Sequence, residues 1–92
     1  MASTYDQVAM TTSAAIIIAS NANRKKLVIK NTGSNIVYIG NDNSVVVTAA
    51  NANGGYPIEV DETFYLNDYT GDVYGLTSTS TSTVSIIEEE LA

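Results

Sequence analysis

The sequence predicts an all-β domain, an antiparallel β-sandwich of seven or eight short strands. Two patterns predict it. Segments rich in Val, Ile, Tyr and Thr are separated by turn clusters at spacings of about 8 to 12 residues, the signature of a sandwich or barrel. No segment sustains an apolar period of 3.6 over a useful length, so helices are not expected.

The turn clusters are Asn31-Thr32-Gly33-Ser34-Asn35, Gly40-Asn41-Asp42-Asn43, Asn51-Ala52-Asn53-Gly54-Gly55, Val60-Asp61-Glu62 and Asn67-Asp68-Tyr69-Thr70-Gly71. Glycine reaches positive φ without steric cost, and Asn or Asp bonds its own backbone, so each cluster bends the chain for a physical reason. Between them the sequence places strands near 12–18, 25–31, 35–40, 44–49, 56–60, 63–66, 72–78 and 83–89. In the first, Ile16-Ile17-Ile18 favours extended backbone because β-branched side chains lose freedom in a helix. The alternation is cleanest in Tyr56-Pro57-Ile58-Glu59-Val60, where Pro57 cannot donate to a ladder and so marks a sheet edge or a strand start. The middle of Thr77 to Thr83, a run purely of Ser and Thr, reads as an exposed hairpin tip; a flat threonine ladder is the alternative. Residues 1–20 are expected to form an N-terminal arm and the first strand, with the first ten loosely held. Residues 21–92 form the single β-sandwich domain, of jelly-roll or Ig-like connection.

Composition excludes more than it identifies. With 92 residues and a 45% hydrophobic fraction the chain folds, yet so short a domain buries only about 60 to 65% of the surface its unfolded form exposes. It has no cysteine for a disulfide or a zinc-thiolate site, and no histidine to activate a hydroxyl nucleophile. No cofactor or metal is expected. The Asp and Asn oxygens of residues 41–43 and 68–72 lack the twelve-residue calcium loop, and Asx turns explain them. Asp61 with Glu62, Asp68 with Asp72, and Glu88-Glu89-Glu90 fall in turns or near the C-terminal end, where dry general acids are not made. The formal net charge of −6 repels nucleic acid. The longest apolar run, Ala14 to Ala19, is far below the roughly 20 residues that span a bilayer, and no signal peptide opens the chain, so neither a membrane nor classical export is expected.

Two features point to a protein partner. All four cations, Arg24, Lys25, Lys26 and Lys30, lie within one short stretch. They read either as an orienting patch for an acidic neighbour or as a solvated strand end that blunts an edge. Second, Ile36-Val37-Tyr38-Ile39, Val45-Val46-Val47, Ile16-Ile17-Ile18 and Ile86-Ile87 are apolar on both faces, although a two-layer sandwich has only one face per strand to bury. The candidate contact residues are Ile17, Val37, Ile39, Val46, Ile87, Arg24, Lys25 and Lys26. The competing reading is that strand twist and the N-terminal arm cover the surplus within one subunit. The chain has six tyrosines against one phenylalanine, which suits half-buried surfaces. Tyr56, Tyr65, Tyr69 and Tyr74 are the candidates for an alternative sugar- or receptor-binding role.

The succession RKKLVIKNTGSNIVYIG, a valine-rich segment, YPIEVDETFYL and DYTGDVYGLTS followed by VSIIEEE resembles small virion structural proteins of tailed bacteriophages. The resemblance covers roughly residues 24–90. It implies a non-enzymatic head decoration or cement protein, made in the host cytoplasm and located at the capsid surface of the virion. Such a protein binds the major capsid protein as a homo-oligomer, a dimer or trimer. A β-sandwich module of a fibre or tail is the alternative it implies.

Overall fold

The computed structural model describes residues 3–50 and 52–90. Eight strands are present: β1 Ser3–Met10, β2 Ala15–Ile18, β3 Arg24–Asn31, β4 Val37–Gly40, β5 Tyr56–Ile58, β6 Thr63–Asn67, β7 Val73–Thr77 and β8 Ser82–Glu90. They form two four-stranded antiparallel sheets, sheet A in the order β1-β8-β3-β6 and sheet B in the order β2-β7-β4-β5. The ladder partners β1 with β8, β2 with β7, β3 with β6 and β4 with β5 follow from rolling up one long antiparallel ribbon, which is jelly-roll connection.

The core lies between the sheets. Met10, Ile17, Leu27, Ile29, Val37, Ile39, Ile58, Val73, Val84 and Ile86 form one buried cluster, with Val8, Phe64, Leu66 and Tyr69 at its margin. Period two explains the set: Leu27 and Ile29 face inward on β3, so Val28 faces out, and Ile86 faces inward on β8, so Ile87 faces out.

Four expectations are corrected. Residues 3–10 are not a loose arm but the edge strand β1, held along its length by β8, with Met10 fully buried. The expected strand at 44–49 is a loop segment that makes one isolated bridge, Val46 to Gly54. The Ser/Thr run is exposed from Ser78 to Thr81, but it is no hairpin tip, because β7 belongs to sheet B and β8 to sheet A. Ile17, Val37 and Ile39, expected at a contact surface, point into the core. Pro57 does lie in an edge strand, β5 of sheet B.

Strand β3 is fastened by a buried polar side chain at each end. At its start, Arg24 Nε donates to Glu88 Oε2 at 2.7 Å, Nη1 donates to the carbonyls of Tyr69 and Gly71, and Nη2 donates to the Ala19 carbonyl. At its end, Asn31 Nδ2 donates to the carbonyls of Asn35 and Ile58, while its Oδ1 accepts from the Gly33 amide and the Ser82 hydroxyl. Among the described residues no buried side-chain nitrogen or oxygen lacks a partner. Replacing Asn31 with Leu removes the partner of two carbonyls and a hydroxyl near the core, while the Gly33 amide keeps the Thr83 carbonyl, so unfolding in urea should register a loss of about 2 to 4 kcal/mol. A loss under about 0.5 kcal/mol would show that water restores these bonds.

Candidate interaction surfaces

The outer faces of the two sheets differ. On sheet B, residues 41–50 and 52–55, between β4 and β5, fold back over their own sheet. Val45 is buried, and a Cβ placed on Gly40 would stand 2.8 Å from the Val45 Cβ. A Cβ on Gly55 would stand 2.7 Å from the Cβ of Tyr38, so this backbone lies directly on the outward tyrosine. Leu76, beside Tyr38 on the outer side of β7, is likewise buried. The valine-rich segment therefore covers part of the surplus that the sequence raised. Val46 itself remains exposed on the loop, and Ile16 on the edge strand β2.

Sheet A has no such cover from the described residues. Its ladder register aligns Tyr5 with Ile87, Ile87 with Val28, and Val28 with Tyr65, one residue from each strand in a single row. Tyr5 is 80% exposed, Ile87 46% and Tyr65 57%, and Val28 between them is half-buried. The next outward row on one side is Gln7, Ser85, Lys30 and Thr63; on the other side Glu89, Lys26 and Asn67 stand in line. The face thus carries an apolar stripe rimmed by polar rows.

The cation stretch divides among three roles. Arg24 is buried and paired with Glu88, so it cannot be the exposed contact residue the sequence suggested. Lys25 forms an exposed pair with Asp68 at 2.8 Å, of small energetic weight. Lys26 stands on the outer face of sheet A with its Nζ 5.5 Å from the centre of the Tyr65 ring.

The four candidate tyrosines do not form one site. Tyr56 and Tyr69 line an apolar cleft of about 220 Å³ with Ile39, Phe64, Leu66 and Val73, where the β5 and β6 edges of the two sheets meet. The Tyr56 and Phe64 rings are 4.8 Å apart there, and the Tyr69 hydroxyl donates to the Asp72 carbonyl. Tyr65 faces outward on sheet A and Tyr74 outward on sheet B, on opposite sides of the molecule.

Several members of the acidic clusters accept from nearby backbone or side-chain donors. Asp72 Oδ1 accepts from the Ser20 amide, Glu62 Oε1 from the Glu59 amide and Glu90 Oε2 from the Asn21 side chain. Asp42 closes an Asx turn by accepting from the hydroxyl and amide of Ser44, and those two bonds hold its carboxyl below the ordinary value.

Sequence reasoning missed the sheet A row because two of its members, Tyr5 and Val28, lie in segments read as an arm and as an ordinary strand. Only the register of four strands brings the row together. No family model matches the chain, and no curated protein sequence matches it. It is similar to a solved chain from Bacillus endospore appendages, described as a novel family of disulfide-linked pili, at 17% identity and a TM-score of 0.48. That likeness covers 98% of this chain and 89% of the other.

Proposed function

We propose that the chain is a non-enzymatic structural protein that works by packing against other protein subunits, and that its assembly is a tailed-bacteriophage capsid. In this reading it decorates the virion surface, binding and stabilising the lattice of the major capsid protein. The observation that carries a packing role is the uncovered Tyr5, Ile87, Val28 and Tyr65 row on sheet A. The capsid as its destination rests on the sequence resemblance alone.

Capsids stripped of accessory proteins supply the test, with co-sedimentation as the readout. The wild-type chain should pellet with them, and Ile87→Lys should bind at least about tenfold more weakly, since a charge placed in an apolar contact loses its hydration. Ile87 is outward-facing, so the variant should keep its circular dichroism spectrum. A wild-type chain that stays in the supernatant at every concentration would remove the capsid reading. The sugar-binding alternative has less support, because Tyr56 and Tyr69 share a cleft lined mainly by apolar side chains while Tyr65 and Tyr74 lie elsewhere.

A further inference from the structure

We infer that the outer face of sheet A binds a second copy of this chain, face to face, about a two-fold axis running along the strands between β8 and β3. This names one partner of the surface on which the proposed function rests.

A two-fold interface must be self-complementary: if one residue meets another, the reverse contact exists as well. Rotation about an axis along the strands exchanges β8 with β3 and β1 with β6 while keeping each row opposite itself. Ile87 then meets Val28 of the second copy, and Tyr5 meets Tyr65, so the apolar row closes on itself. In the flanking row Lys26 meets Glu89, and Glu89 meets Lys26, because these two stand on the exchanged strands at one level. In the other flanking row Lys30 meets Ser85, a neutral partner. Strands stay aligned, the arrangement common to stacked sheets.

The alternative two-fold, across the strands, exchanges the flanking rows. It sets Lys30 of one copy against Lys26 of the other, a like-charge contact on the same strand. Charge therefore selects the first axis. Area sets the strength: four strands at their usual spacing and three outward rows cover roughly 400 Å² per copy, about half of a standard interface. The dimer is accordingly weak, with a dissociation constant of about 10 μM to 1 mM.

Sedimentation equilibrium on the full chain, from about 1 μM to 1 mM, reads the association. Wild type should pass from monomer to dimer across that range. Lys26→Glu and Glu89→Lys should each weaken the dimer at least about tenfold, because each homodimer then faces like charges twice. Mixing the two variants should restore dimerisation, since every cross-contact in the mixed pair joins opposite charges. Contacts within one chain cannot produce that rescue, and circular dichroism of each variant checks that it is folded. A wild type that is monomeric throughout, or a mixture no better than either variant alone, overturns the dimer. If such a monomer still pellets with capsids, the dimer alone has failed; if a dimer forms and the monomer present at concentrations below its dissociation constant does not pellet with capsids, the capsid reading alone has failed.

Discussion

Deleting residues 1–12 should leave a chain without a stable fold. The deletion removes β1, whose eight residues pair with β8 from Ser3 opposite Glu89 to Met10 opposite Ser82. It removes Met10, fully buried against the inner side of sheet B, where its sulfur would stand 3.0 Å from a Cβ placed on Gly75. Val8, packed at the core margin, goes with it. Each such side chain contributes about 1.5 to 3 kcal/mol by burial, with a further cost for the cavity left behind. The new edge would be β8, nine residues long, whose backbone groups on that side lose their partners. A domain of this size has about 5 to 14 kcal/mol in total. Losing most or all of that should abolish the cooperative thermal transition. A truncated chain that melts within a few degrees of the full one would show that β1 is an accessory and that the arm expected from sequence was the better description.

Arg24→Ala should cost about 3 to 5 kcal/mol, because it leaves the Glu88 carboxylate buried without its charge partner. Three carbonyls, those of Ala19, Tyr69 and Gly71, lose their donor in the same step. These belong to the connections from β2 to β3 and from β6 to β7, so one guanidinium ties two loops and two strands together. Its planar fork is suited to that number of acceptors, and a lysine's single ammonium is not. The partner change Arg24→Met with Glu88→Leu removes both charges and should recover much of the loss, since a buried pair adds little over well-packed apolar side chains. Urea unfolding of the two singles and the double gives the coupling directly. Additive losses, with no recovery in the double, would place the importance of Arg24 in its carbonyl bonds rather than in its pairing with Glu88.

How much of this was legible in the sequence depended on range. The all-β class, the turns and seven of the eight strands were readable, because turn chemistry and β-branched runs are local signals. Val45-Val46-Val47 misled because an apolar run has the same composition whether it pairs as a strand or lies as a cover over a neighbouring sheet. Residues 3–10 concealed β1 because its inward positions, Thr4, Asp6, Val8 and Met10, become apolar only in the half that reaches the core. In Ile36-Val37-Tyr38-Ile39 both faces are apolar, so nothing local determined which pair turns inward, and a one-residue choice moved Val37 and Ile39 from surface to core.

The candidate surface was less legible than the fold. Arg24 stood among lysines and read as solvated; its burial depends on Glu88, 64 positions away in the chain. Ile87 and Lys26 do face outward, but in different rows, and the row of Ile87 also needs Tyr5 and Tyr65, from strands at opposite edges of sheet A. Such a row is a property of register across four strands.

A dilution series monitored by the methyl and ring signals of Val28, Ile87, Tyr5 and Tyr65 probes that row most directly, with Ile16 and Val46 as exposed controls away from it. The first four should shift together as concentration rises while the two controls stay still. If all six move alike, or if only Ile16 and Val46 respond, the stripe across sheet A is ordinary solvated surface and copies of the chain meet elsewhere.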